Sequence, residues 1–411
     1  MARREALIID GVRSPRGKGR ESGSLHHIHP QRGLAQVLNQ LRDRVGFDAE
    51  DVEDVIMGCA SQVGDHSMDI ARMAVLDAGW PVSAPGVTLN RFCGSGQQAV
   101  TFAAMGILAG HQELVIGGGV EWMSRRAPMS VDGFSANNRH LHDLHPQVPQ
   151  GISADLIATL EGFTRKDCDA YAVESQRRAA VALEEGRFER SVVPILNDDG
   201  SVALDRDEHP RPGTTLEALA GLNPAFEGMG EHVEAGKELS YDEYARQVYP
   251  QLDRIDHVHH GGNSSGVVDG ASALLLASND YAQAHGLKAR ARIRMSATAG
   301  TEPVIMLTAP APAAALCLKK AGMKPSDIDL WEVNEAFASV VLKFLKEFPE
   351  VPREDFNVCG GAIALGHPIG ATGGILIQTV LDELERQDRS TALIAMCTGG
   401  GMGTATIIER V

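Results

Sequence analysis

Three glycine-rich turns of the sequence each present a side chain that can attack a carbonyl carbon or move a proton. Cys93 stands in "NRFCGSGQQAV", His367 in "GGAIALGHPIGATGG" and Cys397 in "CTGGGMG". The thiolate is the nucleophilic form of cysteine, and imidazole takes up or releases a proton near neutral pH. Two thiols and one imidazole on similar turns therefore predict a nucleophile, its activator and a second acid or base.

The surroundings of Cys93 favour the nucleophilic role. The residue precedes Gly, Ser and Gly and stands just before a segment with a helical pattern. A helix N-terminus supplies partial positive charge and unpaired N–H donors, so this position predicts a stabilised thiolate. Taken singly, each of the three residues is more often a structural cysteine or a loop histidine. Their joint occurrence on equivalent turns favours the catalytic interpretation.

The elements that must position these turns alternate between strands and helices. Short apolar or β-branched runs predict strands at 6–10, 54–58, 86–90 and 114–120. Apolar residues at helical spacing predict helices at 31–46 and 68–79. Alternation of this kind is typical of a parallel sheet covered by helices, so the chain is predicted to be an α/β protein.

The second half of the chain repeats the pattern of the first. Residues 291–299 resemble the opening strand, and 327–338 read as a strand that runs into a helix. Residues 365–384 form a glycine turn followed by a helix, and 391–409 form a strand, a glycine turn and a second strand. The match is one of pattern rather than identity, and it predicts a duplicated unit.

The middle of the chain, 124–265, differs from both halves. It is rich in Arg, His and Pro, with one clear helical pattern at 166–186 and a turn signal, "NDDG", at 197–200. We interpret it as a long excursion that covers the site, since long irregular insertions are usually functional or disordered. Within it, 227–259 is predicted to be an added lid or contact surface.

Composition and charge exclude several classes of partner. The 411 residues carry 38 Lys and Arg against 54 Asp and Glu, a net charge of −16. That balance argues against nucleic acid or an anionic membrane as the general partner. No apolar run approaches the ~20 residues of a membrane span, and the first residues lack a secretion signal. Six scattered cysteines without a CxxC pair predict reduced thiols and a cytoplasmic protein.

Rival motifs are weaker. No GxxxxGK[ST] is present, so the glycine runs are not a P-loop, and "GGG" lacks the spacing of a dinucleotide-binding fingerprint. The histidines of "HHIH" (26–29) and "HVHH" (257–260) are ligand types for a metal, but no HExxH or Cys/His array accompanies them. We interpret them as solvated loop histidines and predict no metal site.

The motifs as a set resemble the thiolase family, and the resemblance covers essentially the whole chain. Besides the three turns, it rests on "GGVEWMS" (118–124), "DAYAVESQRRA" (169–179), "TTLEALAGLNPAF" (214–226) and "NEAFA" (334–338). The resemblance implies duplicated βαβαβ halves packed as layers α-β-α-β-α, with an inserted loop domain. The implied units are 1–123 with 266–289, the insertion 124–265, and 290–411.

The resemblance also implies a role for each site residue. Cys93 would attack the acyl thioester and carry the acyl group, and His367 would activate it. Cys397 would act as the second acid or base. Asn334 would hold a water that forms one oxyanion site with His367, and the backbone N–H groups of Cys93 and Gly399 would form another.

The resemblance implies that coenzyme A is a substrate rather than a tightly bound cofactor. By motif position, Arg211 and Ser265 would contact its nucleotide and pantetheine parts. Thiolases are generally dimers or tetramers, so a homodimer or homotetramer is implied. The implied reaction is cleavage of 3-oxoacyl-CoA by CoA, or the reverse Claisen condensation of two acyl-CoA molecules.

The sequence departs from the usual family pattern near the site. Pro149 and Gln150 replace a His-Met pair common in short-chain members, which favours a broader 3-oxoacyl-CoA substrate over strict acetoacetyl-CoA specificity. Cys359 replaces a usual Asn, and "MLTAPAPA" (306–313) lacks the usual glycines. Three alternatives stay open: a strict acetyl-CoA C-acetyltransferase, a decarboxylating ketoacyl synthase, and a non-catalytic acyl-CoA or sterol carrier. Cys397 argues against the synthase, which usually has a second His there.

Overall fold

The strands and helices follow each other along three described ranges, which the computed structural model places at residues 4–125, 138–234 and 237–411. The strands are β1 (Ala6–Arg13), β2 (Gly17–Lys18), β3 (Asp54–Gly58), β4 (Val87–Leu89), β5 (Leu114–Trp122), β6 (Ile195–Leu196), β7 (Val202–Leu204), β8 (Val268–Ser278), β9 (Ala291–Gly300), β10 (Leu330–Val333), β11 (Thr391–Thr398) and β12 (Met402–Arg410). The helices are α1 (Pro30–Val45), α2 (Ile70–Asp77), α3 (Ser95–Leu108), α4 (Arg139–Leu144), α5 (Gln150–Glu161), α6 (Arg165–Glu184), α7 (Leu216–Ala220), α8 (Glu227–Gly230), α9 (Tyr241–Val248), α10 (Asn279–Ala284), α11 (Pro310–Ala321), α12 (Ala338–Glu347), α13 (Ala362–Leu365) and α14 (Thr372–Arg386). Within these ranges, no helix has both the length and the apolar character needed to cross a membrane.

The order of strands in the large sheet displays the predicted duplication. The sheet runs β10-β11-β12-β9-β1-β8-β5-β3-β4, with β2 beside β8. In the first half, β1 pairs antiparallel with β8, and β8 pairs antiparallel with β5. In the second half, β9 pairs antiparallel with β12, and β12 pairs antiparallel with β11. Strands β5 and β11 pair parallel with β3 and β10, respectively. Where the second half would have a counterpart of β4, a parallel bridge joins Trp331 to Phe356.

The two halves are joined at their first strands. Strands β1 and β9 pair antiparallel through two residue pairs, Leu7 with Arg292 and Ile8 with Ala291. The short junction makes one continuous sheet out of the two repeated halves.

The layers follow the predicted α-β-α-β-α order. Helices α3 and α14 pack against each other and against both halves of the sheet. Helices α1 and α2 cover the outer face of the first half, and α11 and α12 cover that of the second. A separate apolar cluster, whose members come from both halves of the chain and include Ala6 and Ile408, fills the central layer around α3 and α14. The predicted layered α/β architecture is therefore confirmed.

The middle segment is more helical than the sequence analysis predicted. The helix expected at 166–186 is α6, and the "NDDG" turn joins β6 to β7. Between β5 and β8, however, the described residues also form α4, α5, α7, α8 and α9. Capping boxes start α6 at Thr164 and α9 at Ser240. Residues 126–137 of the insertion and 235–236 of the predicted lid lie outside the described ranges, and the domain boundaries stay a prediction.

The prediction that the histidines of 257–260 are solvated is wrong. His257 lies between two carboxylates, with Nδ1 at 2.8 Å from Asp155 and Nε2 at 3.0 Å from Asp242. Burial opposes the charged ring, but hydrogen bonds to both carboxylates and their charges outweigh it and raise the pKa of His257 to about 10. A protonated His257 thus ties helix α9 of the insertion to helix α5.

Two further histidines of this run are fully buried and paired. His259 Nδ1 lies 2.7 Å from Asp155, and His260 Nε2 lies 2.8 Å from Asp169. The ring of His259 meets Phe337 edge-on, at 5.5 Å between ring centroids. Carboxylates on α5 and α6 satisfy the rings, which is why a polar run can be buried. Among the described residues, no cluster of potential metal ligands is present.

Candidate active site

A strained turn presents Cys93 between β4 and α3. Phe92 has φ +49°, in the left-handed region that a bulky residue rarely adopts. The hydroxyl of Ser95 donates to the Phe92 carbonyl at 2.6 Å and accepts from the Arg91 N–H at 2.8 Å. These bonds hold the turn closed, and Gly94, directly after Cys93, is the N-cap of helix α3. The sequence therefore builds a sharp strand-to-helix bend with the thiol at its tip.

Glycines let the turns approach each other closely. A Cβ on Gly94 would lie 2.7 Å from the Thr398 side chain, one residue beyond Cys397. A Cβ on Gly96 would lie 2.5 Å from the carbonyl oxygen of Gly370, three residues beyond His367. Real Cβ contacts are not this short, so only glycine permits these approaches. The first turn of α3 is thereby packed against the turns that carry the other two predicted residues.

The structure brings Cys93, Cys397 and Gly399 together. The backbone N–H groups of Gly399 and of Cys93 itself hydrogen-bond to the Cys93 thiol. Cys397 is fully buried at the end of β11, close enough to Cys93 for the charge of a Cys93 thiolate to raise the pKa of Cys397. The two sulfur atoms therefore face the same small space. Both N–H groups are therefore candidate donors to a developing oxyanion.

His367 and Asn334 form a second group. His367 Nε2 lies 3.5 Å from Asn334 Nδ2, and His367 Nδ1 lies 2.5 Å from the hydroxyl of Thr372. Asn334 is buried, and its Oδ1 has no hydrogen-bond partner. A buried amide oxygen without a partner is costly, so a water bound there would satisfy it. This observation supports the water-holding role predicted for Asn334.

Burial controls the protonation of these groups. Desolvation raises the pKa of Cys93 to about 11, although the surrounding donors lower it in part. Desolvation and the neighbouring Cys93 raise the pKa of Cys397 further. Desolvation, aided by the charge of Arg16, lowers the pKa of His367 to about 3. The N–H donors beside the helix N-terminus therefore act in the predicted direction, but burial outweighs them and favours neutral thiols and a neutral imidazole in the free protein.

Gln150 contacts the nucleophile without having been predicted as a site residue. It is the first residue of α5, and its side chain hydrogen-bonds to the Cys93 thiol. The sequence offered a signal, since Pro149 and Gln150 stand where many family members have another pair. Its amide adds a third donor around the Cys93 sulfur and lowers the pKa of that thiol against the effect of burial.

Glu121 is a second residue that the sequence analysis missed. It is fully buried at the end of β5 and accepts hydrogen bonds from the backbone N–H groups of Ala60 at 2.9 Å, Ser61 at 3.1 Å and Gly370 at 3.0 Å. It thus ties the loop after β3 to the loop after His367. In the sequence, Glu121 was indicated only by its place in the motif "GGVEWMS", and a motif does not predict which residues the side chain contacts.

Arg211 lines a cavity of about 320 Å³ with other basic side chains. Lys18 and Arg20 share its wall, together with Glu208 and with His209, whose pKa is lowered to about 4 by burial and by the neighbouring cations. None of the salt bridges between described residues involves Lys18, Arg20 or Arg211. Their charges are therefore available to an anionic ligand, which is notable in a chain with a net charge of −16.

Ser265 lies on a strap between that cavity and the catalytic turns. Its backbone N–H donates to the Ala336 carbonyl at 2.9 Å, and the next carbonyl, of Gly266, accepts from the His367 N–H at 2.9 Å. Val267, two residues on, lines the basic cavity. The segment thus connects the loop of Asn334 with the turn of His367, and the residues predicted to bind coenzyme A lie along one path toward it.

Comparison with known families settles which fold family this arrangement belongs to. Residues 6–241 match the N-terminal domain of thiolase, and residues 287–410 match the C-terminal domain. The chain belongs to the thiolase family. The resemblance drawn from the motifs is therefore confirmed, and the duplicated halves are those of this family.

Relatives of this thiolase match it over nearly its full length. The 3-oxoadipyl-CoA/3-oxo-5,6-dehydrosuberyl-CoA thiolase of Escherichia coli is 40% identical, covering 99% of this chain and 100% of its own. A steroid 3-ketoacyl-CoA thiolase of Mycobacterium tuberculosis is 40% identical, covering 99% and 94%. The crystal structure of the Bacillus anthracis acetyl-CoA acetyltransferase is 34% identical, covers both chains fully and superposes with a TM-score of 0.84. This thiolase is accordingly an acyl-CoA C-acyltransferase.

Proposed function

We propose that this thiolase cleaves 3-oxoacyl-CoA with CoA, and runs the reverse Claisen condensation, through an acyl thioester on Cys93. The observation that carries the proposal is that the Cys93 thiol lies against the Gly399 N–H and beside the Cys397 thiol. A nucleophile, an oxyanion donor and a second acid or base therefore meet at one point.

In the first half of cleavage, Cys93 attacks the 3-oxo carbon of the substrate. The thiol proton passes to the bare Nε2 of His367 as the sulfur–carbon bond forms, because the neutral ring can act as a base. The carbon–carbon bond then breaks, the shortened acyl group stays on Cys93, and the acetyl-CoA enolate leaves. Cys397 gives its thiol proton to the α-carbon of that enolate.

In the second half, CoA attacks the acyl thioester. The Cys397 thiolate takes the proton of the incoming CoA thiol, the acyl group transfers to CoA sulfur, and Cys93 leaves and recovers its proton from His367. The backbone N–H groups of Cys93 and Gly399 stabilise the oxyanion formed on the way. Loss of one such donor typically costs about 2.7–4 kcal/mol, so the two glycine turns contribute to the rate alongside the reacting side chains.

The proposed substrate is a broad 3-oxoacyl-CoA rather than acetoacetyl-CoA alone. Gln150 at the Cys93 thiol supports this, since it places a polar amide where the acyl group attaches. The names of the relatives cover a dicarboxylic acyl chain and a steroid. Strict acetyl-CoA C-acetyltransferase activity remains the alternative, as in the named activity of the Bacillus anthracis neighbour.

Intact mass spectrometry tests the proposed intermediate. The protein is mixed with acetoacetyl-CoA, quenched in acid and weighed, and we expect one acetyl group per chain, mapped by digestion to Cys93. Addition of CoA before the quench should remove the adduct, because the second half-reaction consumes it. Protein that binds CoA but stays unmodified would instead support the non-catalytic carrier.

We place the phosphates of coenzyme A in the basic cavity of Lys18, Arg20 and Arg211. Substitution of Arg211 by alanine is expected to raise KM for CoA roughly tenfold with little change in kcat, because a charge-assisted contact outside the reacting centre is lost. Steady-state rates at two ionic strengths give the KM for CoA of the variant and of the wild type. High salt should narrow the difference between the two KM values, because it screens the charge of Arg211 in the wild type.

The matched control for this cavity is Lys166→Ala, which removes an exposed cation on α6 away from the cavity. Its KM should equal that of the wild type. An Arg211→Ala enzyme with unchanged KM at low salt would contradict the placement of the phosphates.

We also propose that the chain forms a homodimer through the edge of its first half. Phe102, Met105 and Leu108 form an exposed apolar stripe on α3, and Val87 is exposed on the edge strand β4. An exposed apolar stripe on a helix and the last strand of a sheet, as β4 is among the described residues, are both typical of protein interfaces. Sedimentation equilibrium should give a dimer for the wild type and a monomer for Met105→Glu; a wild-type monomer would contradict the proposal.

The proposed chemistry needs no resident cofactor, since thiols, imidazole and backbone donors supply every step and CoA enters as a substrate. We also propose a cytoplasmic location. All six cysteines are free and buried, a pattern that suits a reducing compartment.

A further inference from the structure

We propose that Thr372 is a positioning residue that fixes which nitrogen of His367 carries the proton, and that it thereby makes Nε2 a base. The inference rests on the proposed function, since it concerns the atom that receives the Cys93 proton. It is carried by two hydrogen bonds of one buried hydroxyl at the start of α14.

The count of protons around the Thr372 hydroxyl decides the tautomer. The hydroxyl has one proton, and its oxygen lies 2.9 Å from the Pro368 carbonyl and 2.5 Å from His367 Nδ1. We assign the hydroxyl proton to the Pro368 carbonyl, the bond that a helical threonine commonly makes four residues back; that carbonyl also accepts the backbone N–H groups of Ala371 and Thr372. The lone pairs that remain face His367, and the short contact with Nδ1 therefore requires that Nδ1 carries a proton.

The other face of the ring agrees with this assignment. In a neutral imidazole with a proton on Nδ1, the Nε2 atom has a lone pair and no proton. Nε2 lies 3.5 Å from the amide nitrogen of Asn334, which is a donor. The backbone of His367 is held as well, because its N–H donates to the Gly266 carbonyl at 2.9 Å. The ring is therefore fixed in both place and tautomer.

Protonation cannot replace tautomer choice at this site. Burial lowers the pKa of His367 to about 3, and the one charged group that acts on it, Arg16, lowers that pKa further. The ring is thus neutral in the resting enzyme. The groups that face it are the Thr372 hydroxyl and the Asn334 amide, both uncharged. A hydroxyl orients the ring as the aspartate of a serine-protease triad does, but it does not stabilise the imidazolium.

A matched pair of threonines on α14 separates this role from a structural one. Thr372 and Thr379 are both buried, and each donates its hydroxyl proton to the carbonyl four residues earlier at 2.9 Å. Only Thr372 also contacts His367. Thr372→Val and Thr379→Val therefore remove the same hydroxyl bond from the same helix, and Thr372→Ser keeps the contact with His367.

We expect Thr372→Val to lower kcat roughly 10- to 100-fold. This loss is larger than that expected from one neutral hydrogen bond, and smaller than the loss seen when a catalytic histidine is held in the wrong tautomer. KM for acyl-CoA should change less than about twofold, because no substrate contact is removed. Thr372→Ser should retain most of the wild-type kcat, and Thr379→Val should match the wild type.

Nitrogen-15 NMR of histidine-labelled protein reads the tautomer without any turnover. The His367 signals are identified by their loss in His367→Ala. We expect the wild type and Thr372→Ser to show a protonated Nδ1 and a bare Nε2. Thr372→Val should show a protonated Nε2 or a mixture, because Nδ1 has lost its acceptor.

Two results would overturn the inference. One is a wild-type spectrum in which Nε2 carries the proton. The other is a Thr372→Val enzyme that keeps the wild-type tautomer and loses no more kcat than Thr379→Val does. A protein with no thiolase activity would refute the proposed function alone, since the spectrum would still report the tautomer.

Discussion

Replacing Cys397 with alanine is expected to leave an enzyme that acylates Cys93 once and then stops. Cys397 is fully buried beside Cys93, and in the proposed cycle it takes the proton of the incoming CoA. Acylation by acetyl-CoA relies on His367 and the oxyanion donors, which the substitution leaves in place. Turnover requires the missing acid or base, so kcat should fall by roughly 10³- to 10⁴-fold.

Two measurements check this separation of half-reactions. Intact mass after mixing with acetyl-CoA should show the acetyl adduct in Cys397→Ala and in the wild type, but not in Cys93→Ala. Steady-state thiolysis of acetoacetyl-CoA should be lost in both variants. Cys317→Ala is the matched control, since Cys317 is a buried free cysteine of α11 in a different apolar cluster.

Two outcomes would contradict the assignment of the cysteines. If Cys397→Ala turned over within tenfold of the wild type, another group would have to move the proton. If Cys93→Ala still carried the adduct on the same peptide, the nucleophile would lie elsewhere. Cys317→Ala should behave as the wild type, which shows that loss of a buried thiol is not itself the cause.

Gly373→Ala is expected to unfold more easily and to lose nearly all activity. A Cβ on Gly373 would lie 2.1 Å from the backbone nitrogen of Gln97, where α14 crosses α3. Gln97 cannot yield, because its side chain is held by Ile394, Thr404 and Thr406. The helices must therefore separate, and overpacking of this kind costs about 1–3 kcal/mol, sometimes more.

The same separation moves the turns of Cys93 and His367 apart. A displacement of about 1 Å can cost on the order of 100-fold in rate, so activity should fall even where the variant is folded. Thermal unfolding and steady-state rates, both at a temperature where the variant is native by circular dichroism, measure the two effects.

Gly228→Ala is the control for this substitution. Gly228 lies in α8, and an added Cβ there meets no atom within 4 Å. Its stability and rates should be those of the wild type. A Gly373→Ala protein with an unchanged melting temperature would contradict the prediction, because it would show that α3 and α14 can separate without a cost in stability.

The elements of the fold were largely predictable because they are local. Strands such as β1 and β5 and helices such as α6 carry their own periodicity, and the repeat shows as a recurrence of that pattern. The short helices of the insertion were missed since α7, α8 and α9 have five, four and eight residues. Segments this short give too few residues for a periodic signal.

The partners of the site residues were not predictable to the same degree. Residue types and flanking glycines identified Cys93, His367 and Cys397 as candidates. Nothing in the sequence joined Gln150 to Cys93, or Glu121 to the N–H of Gly370, because these contacts span 57 and 249 residues of chain. The buried pairing of His259 with Asp155 was missed for the same reason.

By itself, the sequence determined which groups could react and on which kinds of turn they stand, because nucleophilicity and backbone freedom belong to residue types. Only the tertiary structure decided their protonation. Burial favours Cys93 and Cys397 as thiols and His367 as a neutral ring, and at Cys93 it outweighs the N–H donors that stabilise a thiolate. The physical reason is that desolvation depends on everything packed around a group, and that packing comes from both halves of the chain.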